Sequence, residues 1–295
     1  MAKLERKIRA GEFVITAEIV PPLSASGAKL LAEAKTLGGG VDAINVTDAA
    51  AGKTSMSSFA AAAILAANGY EPVLQVTCRD RNRIALAGDL IGAAAQGIEN
   101  LLILKGDDPK NGDQPDAKPV FDYESGQLLA VARDLRDKGE LPSGRKVDPP
   151  PHFFIGGADV PRRPDEKWSP KPLLAKIEAG AGFVQTQFGF DLDVVRAYID
   201  RLRQEGIVDK LGVIIGVGPI RSAKSARWMN DNLFGVHVPE ATIERLEGAS
   251  DQAAEGRKIC AELIRGLQEI EGVAGAHVMA PAQGPEAIAA VLESL

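Results

Sequence analysis

A (β/α)8 barrel, one α/β domain over residues 1–295, is the fold this sequence predicts. Short runs of β-branched and aliphatic residues alternate with longer helical stretches eight times along the chain. The strand candidates are apolar almost throughout, as strands buried on both faces of a parallel sheet must be. Eight such units in 295 residues are what a closed barrel needs. A doubly wound open sheet, built from the same units, is the rival arrangement.

Taken in order, the first strand is Phe13-Val-Ile-Thr-Ala-Glu-Ile19, dense in β-formers, with a helix over about residues 26–37. Residues 42–46 (DAINV) give strand two, and the Ala-rich stretch 55–67 its helix. Strand three is 72–77 (PVLQVT), followed by a helix over about 82–96. Strand four is 100–104 (NLLIL), followed by a loop and a helix over about 124–138. Strand five is placed at 152–156 with a helix over 170–179, and strand six at 183–187 with a helix over 192–204. Strand seven is 212–215, followed by a helix from about Ser222 and a second over 239–269. Strand eight is 275–279, and a helical segment over 284–295 ends the chain. Two connections exceed ordinary loop length. Residues 106–123, polar and rich in Gly, Pro and Asp, leave the carboxyl end of strand four and are read as a site loop. Residues 139–151 enter strand five from the opposite end and are read as surface variation.

Composition removes several classes of function. Residues are 45% hydrophobic but only 5% aromatic, with 31 glycines, a profile suited to close helix–sheet packing. Lys and Arg number 34 against 40 Asp and Glu, a net charge of −6, with no basic tail or block, so nucleic acid is not expected as a partner. Cys78 and Cys260 lie far apart, and His152, His237 and His277 are scattered, so no metal centre is expected. The start, MAKLERKIRA, lacks the apolar stretch of a secretory signal. The most apolar run, residues 59–68, is about half of what a bilayer requires. A cytoplasmic protein without membrane attachment is the expectation.

In a barrel, chemistry gathers where strands end. Those positions carry Glu18, Thr47-Asp48, Gln75, Thr77, Arg79, Asp80, Lys105-Gly106-Asp107-Asp108, Gly156-Gly157, Gln187 and the turn 216–220. Glu18 interrupts an apolar strand and precedes Pro21-Pro22. A carboxyl at such a half-buried strand end suits a general acid, or alternatively an ion pair across the mouth. Lys105 to Asp108 offers a cation, a glycine that lets a ring or phosphate approach, and two carboxylates; a solvated turn is the plainer alternative. Gln187, flanked by Phe188 and Phe190, can donate and accept in one plane, which suits the edge of a pterin, or it is a satisfied core amide. The Gly216-Val-Gly-Pro219 turn lacks the third glycine and the later acidic residue of a dinucleotide loop. His277, Cys78 and Met279 are read as packing residues.

These strand ends, in this order, resemble the methylenetetrahydrofolate reductase family over nearly the whole chain from Phe13. Glu18-Ile-Val-Pro-Pro22 is similar to the family's strand-one Glu and Pro-Pro. Val46-Thr47, Thr77-Cys78, Lys105-Gly106-Asp107, Lys176 to Ala181 and Thr186-Gln187-Phe188-Gly189-Phe190-Asp191 match its later motifs. The resemblance implies a barrel that passes hydride from NAD(P)H through bound FAD to 5,10-methylene-tetrahydrofolate. The product is 5-methyl-tetrahydrofolate, or the flow runs in reverse to recover one-carbon units. It implies Glu18 as general acid and Asp107 as the residue that tunes the flavin and steadies the cationic iminium. Gln187, Phe188 and Thr47 are implied for folate. Thr47, Gln75, Lys105, Gly106, Asp107, Gly156 and Lys176 are implied for FAD. A homo-oligomer is also implied. The chain departs from the family at Ile19-Val20, at Gly189, at Gln75 where many members carry His, and over 156–161 after strand five. Those departures keep open a flavin-free reductase with direct hydride transfer from NAD(P)H; a folate-binding partner subunit of a larger complex, lacking its own electron input, is the alternative from a different class.

Overall fold

Strand β1 (Val14–Ile19) pairs in parallel with β2 (Ala43–Val46) on one side and β8 (Val273–Val278) on the other, and the second pairing closes a barrel. Between them run β3 (Pro72–Thr77), β4 (Asn100–Leu104), β5 (Phe154–Asp159), β6 (Phe183–Phe188) and β7 (Gly212–Val217), each parallel to its neighbours. The computed structural model describes residues 1–295. The open-sheet rival is thereby set aside: an open sheet has two edges, and here every strand has two partners. Because all eight strands run the same way, their carboxyl ends share one rim.

The outer layer is α2 (Ala28–Leu37), α3 (Ser58–Ala67), α4 (Arg83–Ala95), α5 (Ser125–Lys138), α6 (Lys171–Glu178), α7 (Leu192–Gln204), α8 (Ala223–Asn232), α9 (Glu240–Glu247), α10 (Gln252–Gln268) and α11 (Pro285–Leu292). Several starts are set by side-chain caps. Ser57 accepts from the Ala60 amide, Asn82 from Ile84 and Ala85, and Asp191 from Asp193 and Val194. Sixty buried residues fill the space between strands and helices. A second, inner core of Leu4, Val14, Ala43, Val73, Leu102, Phe154, Phe183 and Ile214 fills the base of the barrel itself.

An amino-terminal helix, α1 (Lys3–Arg9), was not expected from the sequence. It is too short to show a helical period, and it stoppers the barrel base with Leu4. The Lys3 and Leu4 amides at its start donate to the Glu71 carboxylate, and Lys3 and Lys7 both pair with Asp42. Strand five lies later than the sequence suggested, at Phe154–Asp159 rather than 152–156. The prolines before it have no amide to give, and pairing begins where the Phe154 amide reaches the Glu99 carbonyl. The stretch 239–269 is two helices rather than one, broken after Gly248, with Asp251 capping α10 through the Ala254 amide.

Candidate active site

Successive inward positions along the strands form tiers. On β1 the apolar base residue Val14 is followed by Thr16 and then Glu18; on β2, Ala43 is followed by Asn45, with Thr47 just past the strand; on β3, Val73 is followed by Gln75 and Thr77. The lumen therefore changes from apolar at the base to polar at the rim. Thr16, Asn45, Thr47, Gln75, Thr77, Gln185 and His277 are all buried, the last on β8.

Glu18 stands at the end of this gradient with its side chain 23% exposed. Its Oε2 accepts from Gln75 Nε2 at 3.3 Å and lies 3.8 Å from His277 Nε2. Thr47 follows β2 and is buried, and its hydroxyl has no protein partner. A buried hydroxyl left unpaired costs about 1–3 kcal/mol, and the protein itself leaves this one unsatisfied.

Asp107 sits above β4, and its position is fixed three ways. Its Oδ2 accepts from the Ala51 amide at 2.9 Å, and its carbonyl accepts from Arg79 Nη1 at 3.3 Å. The preceding Gly106 has φ +94° and packs so closely that a Cβ there would lie 2.9 Å from Arg79 Cβ and 3.0 Å from Thr77 Cβ. Arg79 is itself fully buried and holds Asp80 through two bonds of 2.7 Å. Beside it, Asp48 accepts from the Thr77 amide and hydroxyl at 2.8 and 2.9 Å and pairs with Arg81. The loop after β4 and the loop after β2 are clasped together, with Asp113 accepting from the Thr54 amide.

Other expected residues lie elsewhere. Gly156 falls inside β5 rather than after it, and the Phe183 ring fills the space its Cβ would take, 2.3 Å away. It is a barrel-wall residue and not part of the rim. Lys105 extends toward α5, 3.5 Å from the Glu124 carboxylate and over the Phe121 ring. Lys176 lays its stem over Gly157, on the face of β5 that also meets Leu129 of α5. Phe188 is buried in the outer apolar cluster and stacks on Phe190 at 5.0 Å, beyond an irregularity in β6 between Gln185 and Phe188. Gln187 is half-buried, and its Oε1 accepts from the Phe188 amide at 3.0 Å while its NH2 makes no bond to the protein.

Sequence reasoning missed the buried polar tier. His277 was read as packing, yet it faces Glu18 and bonds Thr16. The available signal was polar residues recurring at alternate positions in otherwise apolar strands. Burial pushes the Cys78 thiol up to about 11 and the Cys260 thiol up to about 12, so neither is a thiolate near neutral pH. No group of three or more His, Cys, Asp or Glu could hold a metal, and no helix is long and apolar enough to cross a membrane. The rim thus offers a half-open carboxyl in Glu18, an aspartate held in place at Asp107, and polar groups at Gln187 and Thr47 that the protein leaves without a partner.

The sequence profile of the methylenetetrahydrofolate reductase family matches residues 3–295. The chain is 27% identical over 199 residues to methylenetetrahydrofolate reductase 1 of Schizosaccharomyces pombe, covering 65% of this chain and 30% of that one. It is 28% identical over 223 residues to a probable methylenetetrahydrofolate reductase (NADPH) of Caenorhabditis elegans, covering 73% and 31%. It is 26% identical over 216 residues to the 5,10-methylenetetrahydrofolate reductase of Escherichia coli, covering 71% and 65%. The matches thus span about a third of the yeast and nematode relatives and 65% of the bacterial one. Among solved structures, an uncharacterized Clostridium thermocellum protein that binds two copies of 5-methyl-5,6,7,8-tetrahydrofolic acid shares the fold. Its TM-score is 0.63 at 15% identity, covering 99% of this chain and 97% of that one. DmoA from Hyphomicrobium sulfonivorans shares it at a TM-score of 0.54 and 11% identity, covering 96% and 88%.

Proposed function

Because the chain belongs to the methylenetetrahydrofolate reductase family, we propose that it reduces 5,10-methylene-tetrahydrofolate to 5-methyl-tetrahydrofolate with hydride from NAD(P)H. The observation that carries this reading is Glu18, a carboxyl at the rim, open to the mouth and backed by Gln75 and His277. Glu18 protonates the folate nitrogen whose departure opens the five-membered ring, and so leaves a cationic iminium at the one-carbon centre. Asp107, held by Ala51 and Arg79, sets a fixed negative charge at the same rim that steadies that cation without reorganising. Gln187 contributes its free NH2 to the pterin edge, and the Thr47 hydroxyl gains the partner it lacks. Hydride addition to the iminium carbon gives the methyl group and leaves the oxidised nicotinamide. A protein of the same fold binds a reduced folate, in line with this assignment.

The orphaned Thr47 hydroxyl fits a bound flavin, and Thr47 and Asp107 are the residues that would hold it, with Gly106 shaping the turn that carries Asp107. FAD, when bound, supplies a carrier that takes hydride from nicotinamide and gives it to folate. Two observations favour a second reading, direct transfer from NAD(P)H: Gly156 is sealed under Phe183, and Gln75 is committed to Glu18. A cytoplasmic setting and a homo-oligomer accompany either reading, and net flow toward methylene-tetrahydrofolate uses the same groups in reverse.

The visible spectrum of the purified chain separates the two. A yellow protein that bleaches with NADH and recovers with methylene-tetrahydrofolate supports the flavin route, and a colourless protein that still turns over supports direct transfer. Under the flavin route, Glu18→Gln lowers folate turnover by about 10²-fold or more and spares bleaching by NADH. Equal loss of both steps removes Glu18 from the acid role. No turnover by the wild-type chain overturns the reductase assignment in favour of a partner subunit.

A further inference from the structure

Beneath Glu18 lies a hydrogen-bonded chain that the steps above do not use. Asn45 and Gln185 face each other across the lumen as a reciprocal amide pair. Asn45 Nδ2 donates to Gln185 Oε1 at 2.5 Å, and Gln185 Nε2 donates to Asn45 Oδ1 at 3.1 Å. The other hydrogen of Gln185 Nε2 goes to Thr16 Oγ1 at 3.1 Å, and Thr16 Oγ1 lies 2.9 Å from His277 Nδ1. His277 Nε2 then faces Glu18 Oε2 at 3.8 Å. Asn45, Thr16, Gln185 and His277 are each 3% exposed or less, so solvent does not set the positions of their protons.

The donor sense follows from counting hydrogens. Thr16 has one hydroxyl hydrogen. When its oxygen accepts from Gln185, that hydrogen goes to His277 Nδ1, and a neutral ring carries its own proton on Nε2, aimed at a Glu18 carboxylate. Turning both amides over together preserves the bonds between them and reverses the sense. Gln185 Oε1 then accepts from Thr16, Thr16 accepts from Nδ1–H, and Nε2 presents a lone pair to a protonated Glu18.

We infer that Thr16, Asn45, Gln185 and His277 form a reversible positioning chain for Glu18. The chain sets which nitrogen of His277 carries hydrogen, and so whether Nε2, 3.8 Å from Glu18 Oε2, turns a donor or an acceptor toward that carboxyl. Glu18 can thus lose and regain its proton during turnover while Thr16, Asn45 and Gln185 keep the hydrogen bonds between them. None of the four touches substrate; all act through Glu18. The catalytic part of this inference rests on the acid role proposed for Glu18, whereas the tautomer of His277 does not.

With three histidines in the chain, 15N-histidine labelling resolves His277. At pH 7.5 the wild type is expected to show a neutral ring in a single tautomer. Thr16→Val, which removes the hydroxyl at constant shape, is expected to spread the proton over both nitrogens, and Thr16→Ser to keep the wild-type signature. Thr16→Val should also lower kcat for folate reduction about fivefold, the kinetic worth of one hydrogen bond, with KM for NADH unchanged and Thr16→Ser restoring the rate. An imidazolium ring in the wild type, or a Thr16→Val tautomer identical to wild type, overturns the chain. An unchanged kcat overturns its positioning role. A wild type that reduces no folate sinks the reductase reading, and the His277 tautomer then decides the chain by itself.

Discussion

At the scale of single residues, the same polar type does opposite things according to its partners. Thr77 spends its hydroxyl on Asp48 at 2.9 Å, whereas Thr47, also buried, leaves its hydroxyl unpaired. Replacing a satisfied group costs stability, and replacing an orphan does not. Thr47→Val is therefore expected to hold or raise the melting temperature while raising KM for folate or NAD(P)H about fivefold, the worth of one hydrogen bond of about 1 kcal/mol. Thermal unfolding and steady-state kinetics on one preparation check both halves. Gly156 makes the contrary case, since its conservation of space serves packing alone. Gly156→Ala drives a methyl into the Phe183 ring and is expected to cost about 1–3 kcal/mol, read as a shifted urea midpoint.

At the scale of elements, legibility followed periodicity. Strands β3 and β4 lie at 72–77 and 100–104 as read from the sequence, because continuous apolar runs bounded by turn residues leave little choice of register. Helix α1 was invisible because seven residues carry no repeat, and its reason for existing, a stopper seated by Leu4, is purely tertiary. Glu18 was legible as a polar break in an apolar strand, but its neighbour His277 was not, because that pairing joins residues at opposite ends of the chain. The α1 anchor carries its own pH dependence. Burial alone would raise the Asp42 carboxyl, but the Ile15 amide and the Lys7 and Lys3 ammonium groups outweigh it and hold Asp42 below its ordinary value. A carboxyl depressed in the folded state contributes stability that is fully present above the ordinary Asp value of about 3.9. That contribution is lost as pH falls through the folded value. Melting temperature should therefore fall below about pH 4, and more steeply in the wild type than in Asp42→Asn. Hydrogen exchange at the Ile15 amide, which donates to Asp42, should rise in the same window.

At the scale of the whole molecule, the barrel separates its two tasks by end. The carboxyl rim carries Glu18, Asp107 and the orphaned hydroxyl of Thr47, with loops pinned by Arg79, whereas the opposite end is closed by apolar side chains and α1. Between them lies the polar tier of Thr16, Asn45, Gln185 and His277, which insulates neither end but is stiffened by its own hydrogen bonds. Substitutions at the two ends should therefore dissociate stability from catalysis. Leu4→Ala removes the stopper from the inner core and is expected to cost about 2–5 kcal/mol. Its KM for methylene-tetrahydrofolate and its kcat should match the wild type at temperatures where both are folded. Glu18→Gln should do the reverse, removing turnover with less than about 1 kcal/mol of stability lost, because its side chain is partly solvated and the amide retains a partner in Gln75. The two sites share no partner, so the stability losses should add in the double variant. A Leu4→Ala protein whose KM rises in step with its loss of stability would show instead that the base and the rim move as one body.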